Sequence, residues 1–196
     1  MANLIDEDWV NKELKEGKVR NKVFPMLTEF GVPDYSETVH SYGLNYLTAI
    51  GRELEGITAV SECPVFAPES SLSEVRPDSV WFNIEDNDPL LIAEFERYDN
   101  SITKQKKLKQ KLQNLVIGYH QLGGDLEYLL LVYWSYPGVT IRKKDELISI
   151  LNEGFTLPNG RYVKGINSFQ TSYLIYHAVA TGGKDSVKLN KWIRVK

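Results

Sequence analysis

Apolar positions along the chain change their period several times, and each change marks an element. Trp9, Val10, Leu14, Val23, Phe24 and Leu27 recur at helical spacing, broken at Gly17 and perturbed at Pro25, so the lead segment is expected to be helical. After Ser36, a residue suited to an N-cap, Val39, Tyr46, Leu47, Ile50 and Leu54 trace one helix face until Gly56 stops the pattern. Three extended runs follow, Ile57 to Phe66, Ser79 to Ile84 and Leu90 to Phe95. The last two are joined by the turn-rich Glu85-Asp-Asn-Asp-Pro89, which predicts an antiparallel meander. From Ser101 the stripe Leu108, Leu112, Leu115, Tyr119 and Leu122 predicts a long amphipathic helix ending at Gly123-Gly124. The run Leu126 to Trp134 is too apolar for a sheet edge and reads as a buried strand. A helix at about Lys143 to Asn152, a hairpin at Asn159-Gly160 and a strand from Tyr173 to Ala180 follow, while the last dozen residues are basic without a clear period.

The core order is therefore α-β-β-β-α-β, which predicts an α/β domain with a mixed central sheet flanked by helices. At 196 residues the chain suffices for one sizeable core and is short for two domains. The expected division is a helical lead over 1–35, a core over 36–135 and an α/β extension over 136–196, with turns at Gly31–Asp34 and Ala67–Ser73. Hydrophobic residues at 42% and charged residues at 25% are ordinary for a globular protein. No apolar run is long enough to span a bilayer, so no membrane partner is expected. The acidic first residues lack the pattern of a secretory signal, and the lone Cys63 excludes an internal disulfide or a cysteine-rich zinc site. A cytoplasmic protein is expected, with Cys63 a small buried apolar residue.

The net charge of −3 conceals a segregation. Residues 53–99 hold twelve acids against only Arg76 and Arg97, whereas residues 100–196 hold fifteen Lys and Arg against six acids. Within the acidic segment three carboxylates stand out. Glu94 and Glu96 lie two apart on one strand and so point to the same side. A five-residue loop makes Ile84 and Leu90 partners and sets Asp78 opposite Glu96, which gathers all three acids on one patch. Two carboxylates about 5 Å apart repel by roughly 3 kcal/mol at an effective dielectric near 20, so the patch needs a cation, a shared proton or basic neighbours. A hard divalent ion, Mg²⁺ or Mn²⁺, answers that need. Three solvated acids on an exposed sheet face are the alternative.

Arg76-Pro-Asp-Ser-Val-Trp-Phe82 followed by Pro89-Leu-Leu-Ile-Ala-Glu-Phe-Glu-Arg97 resembles the signature of the PD-(D/E)XK nuclease superfamily, particularly the N-terminal nuclease region of type I restriction subunits. The resemblance covers roughly residues 36–135 and implies a restriction-endonuclease-like core with the same α-β-β-β-α-β order. It implies that Asp78 and Glu94 ligate the metal; whether cleavage would be of the endonuclease or exonuclease type stays open. Where the family has Lys two residues after its second acid, this chain has Glu96, a change that some restriction endonucleases of the superfamily also carry. Lys104, beside the Leu108 stripe near the helix start, is the candidate to replace that lysine, with Lys111 almost two turns further on. The family often adds an acid from its first helix, and Glu53, next to the Ile50 and Leu54 face, suits that position better than Glu55.

Lys104, Lys106, Lys107, Lys109 and Lys111 crowd one helix, and Lys104, Lys107 and Lys111 are the expected phosphate contacts. Lys184, Lys188, Lys191, Arg194 and Lys196 would extend a basic rim, and Tyr98, Trp134 and Tyr136 are candidates for contact with bases or sugars. His40, His120 and His177 lack metal-ligand spacing and receive no catalytic role, and no Gly-rich phosphate loop opens a helix. The expected function is metal-dependent hydrolysis of DNA in restriction, repair or mobile-element biology, as a homodimer or within a larger complex. Two alternatives stay open: a catalytically inactive nuclease-fold module that binds nucleic acid or a protein, and an acidic interaction or inhibitor protein.

Overall fold

A computed structural model describes residues 4–35, 37–67 and 72–196. In chain order the strands are β1 (Ile57–Ser61), β2 (Ser79–Asn83), β3 (Pro89–Arg97), β4 (Tyr128–Ser135), β5 (Gly154–Thr156), β6 (Tyr162–Lys164), β7 (Ser172–Thr181) and β8 (Lys188–Arg194). The helices are α1 (Glu7–Glu16), α2 (Lys18–Val23), α3 (Thr38–Arg52), α4 (Ile102–Gln121) and α5 (Lys144–Asn152), with a π-helical turn over Met26–Phe30. The apolar run of β4 is buried along its whole length and lies in the middle of a six-stranded sheet ordered β1-β2-β3-β4-β7-β8. β1, β2 and β3 pair antiparallel, β3, β4 and β7 pair parallel, and β8 returns antiparallel, so the sheet is mixed.

Strand alternation divides the core into two layers. Trp81, Leu91, Ala93, Phe95, Leu130, Val132 and Trp134 face the side packed by the N-terminal helices, while Val80, Ile92, Leu129, Leu131 and Tyr133 face α4 and α5. The lead segment docks through buried Glu13, whose carboxylate accepts from the backbone of Val19 and Arg20 and from the Tyr46 hydroxyl. Arg20, itself buried, lies 4.8 Å from the centre of the Trp192 ring and ties α2 to β8. β5 and β6 form the hairpin expected at Asn159-Gly160, apart from the main sheet.

Several expectations are corrected. The run from Ile57 stays a strand only to Ser61, because Glu62 turns into the left-handed region at φ 47° and Pro64 cannot donate to a ladder; Val65 then makes a single bridge to Val75. The basic tail forms β8. Cys63 is partly exposed, not buried. Ser36 and residues 68–71 of the Ala67–Ser73 turn lie outside the described residues, and the cap position of α3 is Glu37, whose side chain makes no capping bond.

The register of the β2–β3 hairpin also differs. Ser79 pairs with Ala93 and Val80 with Ile92, while a bulge between Trp81 and Phe82 brings Phe82 onto Pro89. The 83–88 turn closes on itself through Asn83 N to Asp88 O, with Asn87 at φ 62°, so Ile84 does not pair with Leu90. The shift is two residues, which preserves the face but sets Asp78 level with Glu94 rather than Glu96.

Candidate active site at the strand ends

Asp78 lies just before β2, where the ladder with β3 runs out. Its Oδ2 accepts the backbone N–H of Phe95 at 2.6 Å, so the carboxylate takes the place of the missing strand partner. Glu94 precedes Phe95 and points to the opposite face, toward α4. Between the two acids sits Lys111: its Nζ is 3.1 Å from both Asp78 oxygens and 2.5 Å from Glu94 Oε2. Asp78 is 4% exposed and Glu94 fully buried, so this is a two-acid, one-cation cluster largely withdrawn from water. Glu94 Oε1 is buried without a hydrogen-bond partner.

Burial pushes the Glu94 carboxyl well above the usual carboxylate range, helped by the charge of Asp78 and opposed by Lys111. Burial also works against the Asp78 charge, but the bond with His40 and the charge of Lys111 prevail and its pKa falls to about 2. Lys111 is raised: burial disfavours its charge, yet Glu94 and Asp78 more than offset that. Two carboxylates in contact around one ammonium leave a surplus negative charge, and Glu94 is where a proton or a cation would neutralise it.

Glu96, 2% exposed, is paired separately. Lys104 Nζ donates to its Oε1 at 3.0 Å, and Lys107 Nζ lies 3.2 Å from its Oε2. The three-acid metal cluster expected from sequence is thus not formed. Among the described residues, no group of three or more His, Cys, Asp or Glu side chains is arranged to hold a metal ion. The reason is the direction of α4, which runs back along β3, so that Lys104 and Lys107 meet Glu96 while Lys111, further into the helix, meets the earlier Glu94. Lys104 accordingly does not reach Asp78 and Glu94; the lysine between them is Lys111.

Glu53 is not at this site. It caps the far end of α3, about 20 Å along the helix axis from His40, and lines grooves beside α1 and α2. The contribution of α3 is His40, to which no role was given: its Nε2 lies 3.3 Å from Asp78 Oδ1. Only its placement in the first turn of α3 could have singled it out. Tyr98 and Trp134 are buried, and the Tyr98 hydroxyl donates to Gln105, so neither aromatic face is open to a base. The basic residues of β8 lie on the far sheet edge, with β4 and β7 between them and β3.

A cleft of about 100 Å³ opens over the carboxyl ends of β3 and β4, lined by Glu37, His40, Glu96, Arg97, Lys107, Lys111 and Trp134. A larger groove of about 520 Å³ beside α3 and β1 is mainly apolar and gathers no such cluster of charged groups. The strand-end cleft is where open α/β sheets present chemistry. No helix among the described residues is long and apolar enough to cross a membrane. Compared with known families, curated proteins and solved structures, the chain matches none.

Proposed function

We propose that this chain is a metal-dependent nuclease that hydrolyses phosphodiester bonds in DNA on the PD-(D/E)XK plan. The observation that carries the reading is the pair of buried carboxylates, Asp78 and Glu94, brought from successive segments of the sheet onto one lysine at the strand ends. The donor set fits Mg²⁺ or Mn²⁺, which take one or two carboxylates and complete their shell with water and phosphate oxygens. The unpartnered Glu94 Oε1 is the kind of buried acceptor such an ion would satisfy. Asp78 and Glu94 would hold the ion, which when bound supplies Lewis acidity at the phosphate and a more acidic water.

The chain's own residues do the rest. Lys111 brings a positive charge to the carboxylate pair from the crossover helix, where the resembling family places its lysine on the strand. Its ammonium is suited to hold a phosphate oxygen as negative charge develops there. Glu96, held in place by Lys104 and Lys107, is suited to orient the attacking water. Lys107, half-exposed at the cleft rim, and Lys104 beside it on α4 meet the DNA backbone.

One observation favours a second reading, a catalytically inactive module of the same plan that binds nucleic acid. Lys111 already neutralises much of the acidic pair without an ion. Calorimetric titration with Mg²⁺ and Mn²⁺, then incubation with mixed DNA and RNA substrates with and without chelator, separates the two. The nuclease reading expects ion binding that Asp78→Ala and Glu94→Ala each abolish, and DNA cleavage that the chelator stops. A wild-type protein that binds DNA but neither binds the ions nor cuts would overturn it in favour of the module.

A further inference from the structure

The strand-end cleft has a second wall, on the α3 side, that the chemistry above does not use. Arg97 ends β3 there, and its Nη1 donates to Asp34 Oδ1 at 2.7 Å. Its guanidinium carbon stands 5.2 Å from the centre of the Trp134 ring. The Asp34 side chain is 3% exposed and also accepts from the Tyr136 hydroxyl at 3.4 Å. An arginine held from behind by a buried carboxylate and from one side by an indole is fixed in direction before any ligand arrives. Asp34 engages one of the five N–H donors, and 30% of the Arg97 side chain remains exposed, lining the cleft.

Trp134 lines the same cleft, and its Nε1 is buried with no hydrogen-bond partner among the described residues. An indole N–H only donates, so whatever satisfies it is an acceptor. Cations Arg97, Lys107 and Lys111 line the space against acids Glu37 and Glu96, and Glu96 is already paired with two lysines. An unsatisfied donor, a preset guanidinium and a small volume together suit a tetrahedral anion.

We propose that Arg97 and Trp134 form a phosphate-binding subsite, which takes a backbone phosphate of the substrate next to the one at Asp78 and Glu94. This rests on the nuclease reading for the identity of its neighbour. Asp34 acts as a positioning residue for Arg97. With Lys104 and Lys107 on the α4 side and Arg97 on the α3 side, the substrate backbone crosses the carboxyl ends of β3 and β4.

The test uses the whole chain labelled with ¹⁵N, in chelator, so that no ion and no cleavage enter. Inorganic phosphate and then thymidine 3′,5′-bisphosphate are titrated while the four tryptophan indole N–H resonances are followed, with Trp134→Phe identifying the one of interest. The expected result is a saturable shift of the Trp134 resonance, and bisphosphate binding weakened at least tenfold by Arg97→Gln and less by Arg97→Lys. Because Arg97→Gln leaves the buried Asp34 carboxylate without its cation, the pair Asp34→Asn with Arg97→Gln keeps the fold testable and should bind as weakly. An unmoved Trp134 resonance in the wild type, or wild-type affinity in both Arg97 variants, overturns the subsite. Arg97-dependent phosphate binding in a protein that never cuts would leave the subsite standing and remove the nuclease; cutting with Arg97-independent phosphate binding would do the reverse.

Discussion

Lys111 Nζ lies 2.5 Å from Glu94 Oε2 and 3.1 Å from both Asp78 oxygens, so one ammonium from α4 joins two carboxylates that no strand ladder joins directly. The cluster is mostly buried, with the Lys111 side chain 14% exposed. Removing one partner from such a group leaves uncompensated charge in a poor solvent. Lys111→Met is expected to lower stability by about 3–5 kcal/mol in urea unfolding. Part of the loss should return when Asp78→Asn and Glu94→Gln are added, since the neutral trio has no charge to strand. A Lys111→Met protein as stable as wild type would mean that water reaches the cluster freely.

The two acids are expected to oppose each other in pH dependence. In the unfolded chain they titrate near about 3.9 and 4.3. Glu94, raised by burial and by the Asp78 charge, contributes stability through its bound proton. That contribution is complete below about 4.3 and fades as pH rises through the raised folded value. Asp78 is lowered to about 2, with burial outweighed by His40 and Lys111, so its contribution is present above about 3.9 and is lost as pH falls through about 2. Melting temperature should therefore decline as pH rises above about 4.3 because of Glu94, and as it falls below about 3.9 because of Asp78. Glu94→Gln should remove the decline above about 4.3 and raise the melting temperature near neutrality. Superimposable melting profiles for wild type and Glu94→Gln would show that Glu94 titrates as an ordinary acid.

The lysines of α4 should separate into two kinds. Lys104→Ala and Lys107→Ala each leave the buried Glu96 carboxylate with one remaining lysine, so each should cost less stability than Lys111→Met. Each should weaken DNA binding and reduce its salt slope by about one, while cleavage of saturating DNA persists. Glu96→Gln keeps size and hydrogen-bonding capacity but loses charge, so cleavage should drop strongly while DNA binding persists or tightens. Abolition of turnover by Lys104→Ala with unchanged affinity would return the lysine role to that position.

The α-β-β-β-α-β order was legible because each element carries its own period: the stripe of α4 and the unbroken apolar run of β4 admit few other readings. That Asp78 and Glu94 share a site was legible too, since a two-residue register error leaves faces unchanged. The partner of each acid was not. It depends on the bulge at Trp81 and Phe82 and on α4 running antiparallel to β3, which reverses the order in which lysines meet acids. Glu53 failed for a related reason: a helical wheel gives the face of a residue but not which end of the helix reaches the site. Arg97 and His40 lie on the α3 side of β3, and only the packing of that helix over the strand ends reveals them.

The position of β3 itself depends on a glycine. Gly43, in α3, faces Phe95, and a Cβ built on it would fall 2.2 Å from Phe95 Cε1. Phe95 is fully buried and its backbone N–H is the donor to Asp78, so the ring cannot yield without moving the segment that also carries Glu94 and Glu96. In an ordinary helix interior Gly→Ala stabilises by roughly 0.5–1 kcal/mol. Here overpacking should win, and Gly43→Ala is expected to destabilise by about 1–3 kcal/mol in urea unfolding. Gly118 in α4 is the control, because its added Cβ would stand 3.2 Å from the terminal methyl of Ile92, which can give by the few tenths of an ångström required. Gly118→Ala should be neutral or mildly stabilising. Since Gly43 touches the back of β3 rather than the acids, Gly43→Ala should also weaken Mg²⁺ binding without removing any group that could hold the ion. Equal stability and equal ion affinity in the Gly43 and Gly118 variants would show that α3 does not set the placement of the strand that presents the site.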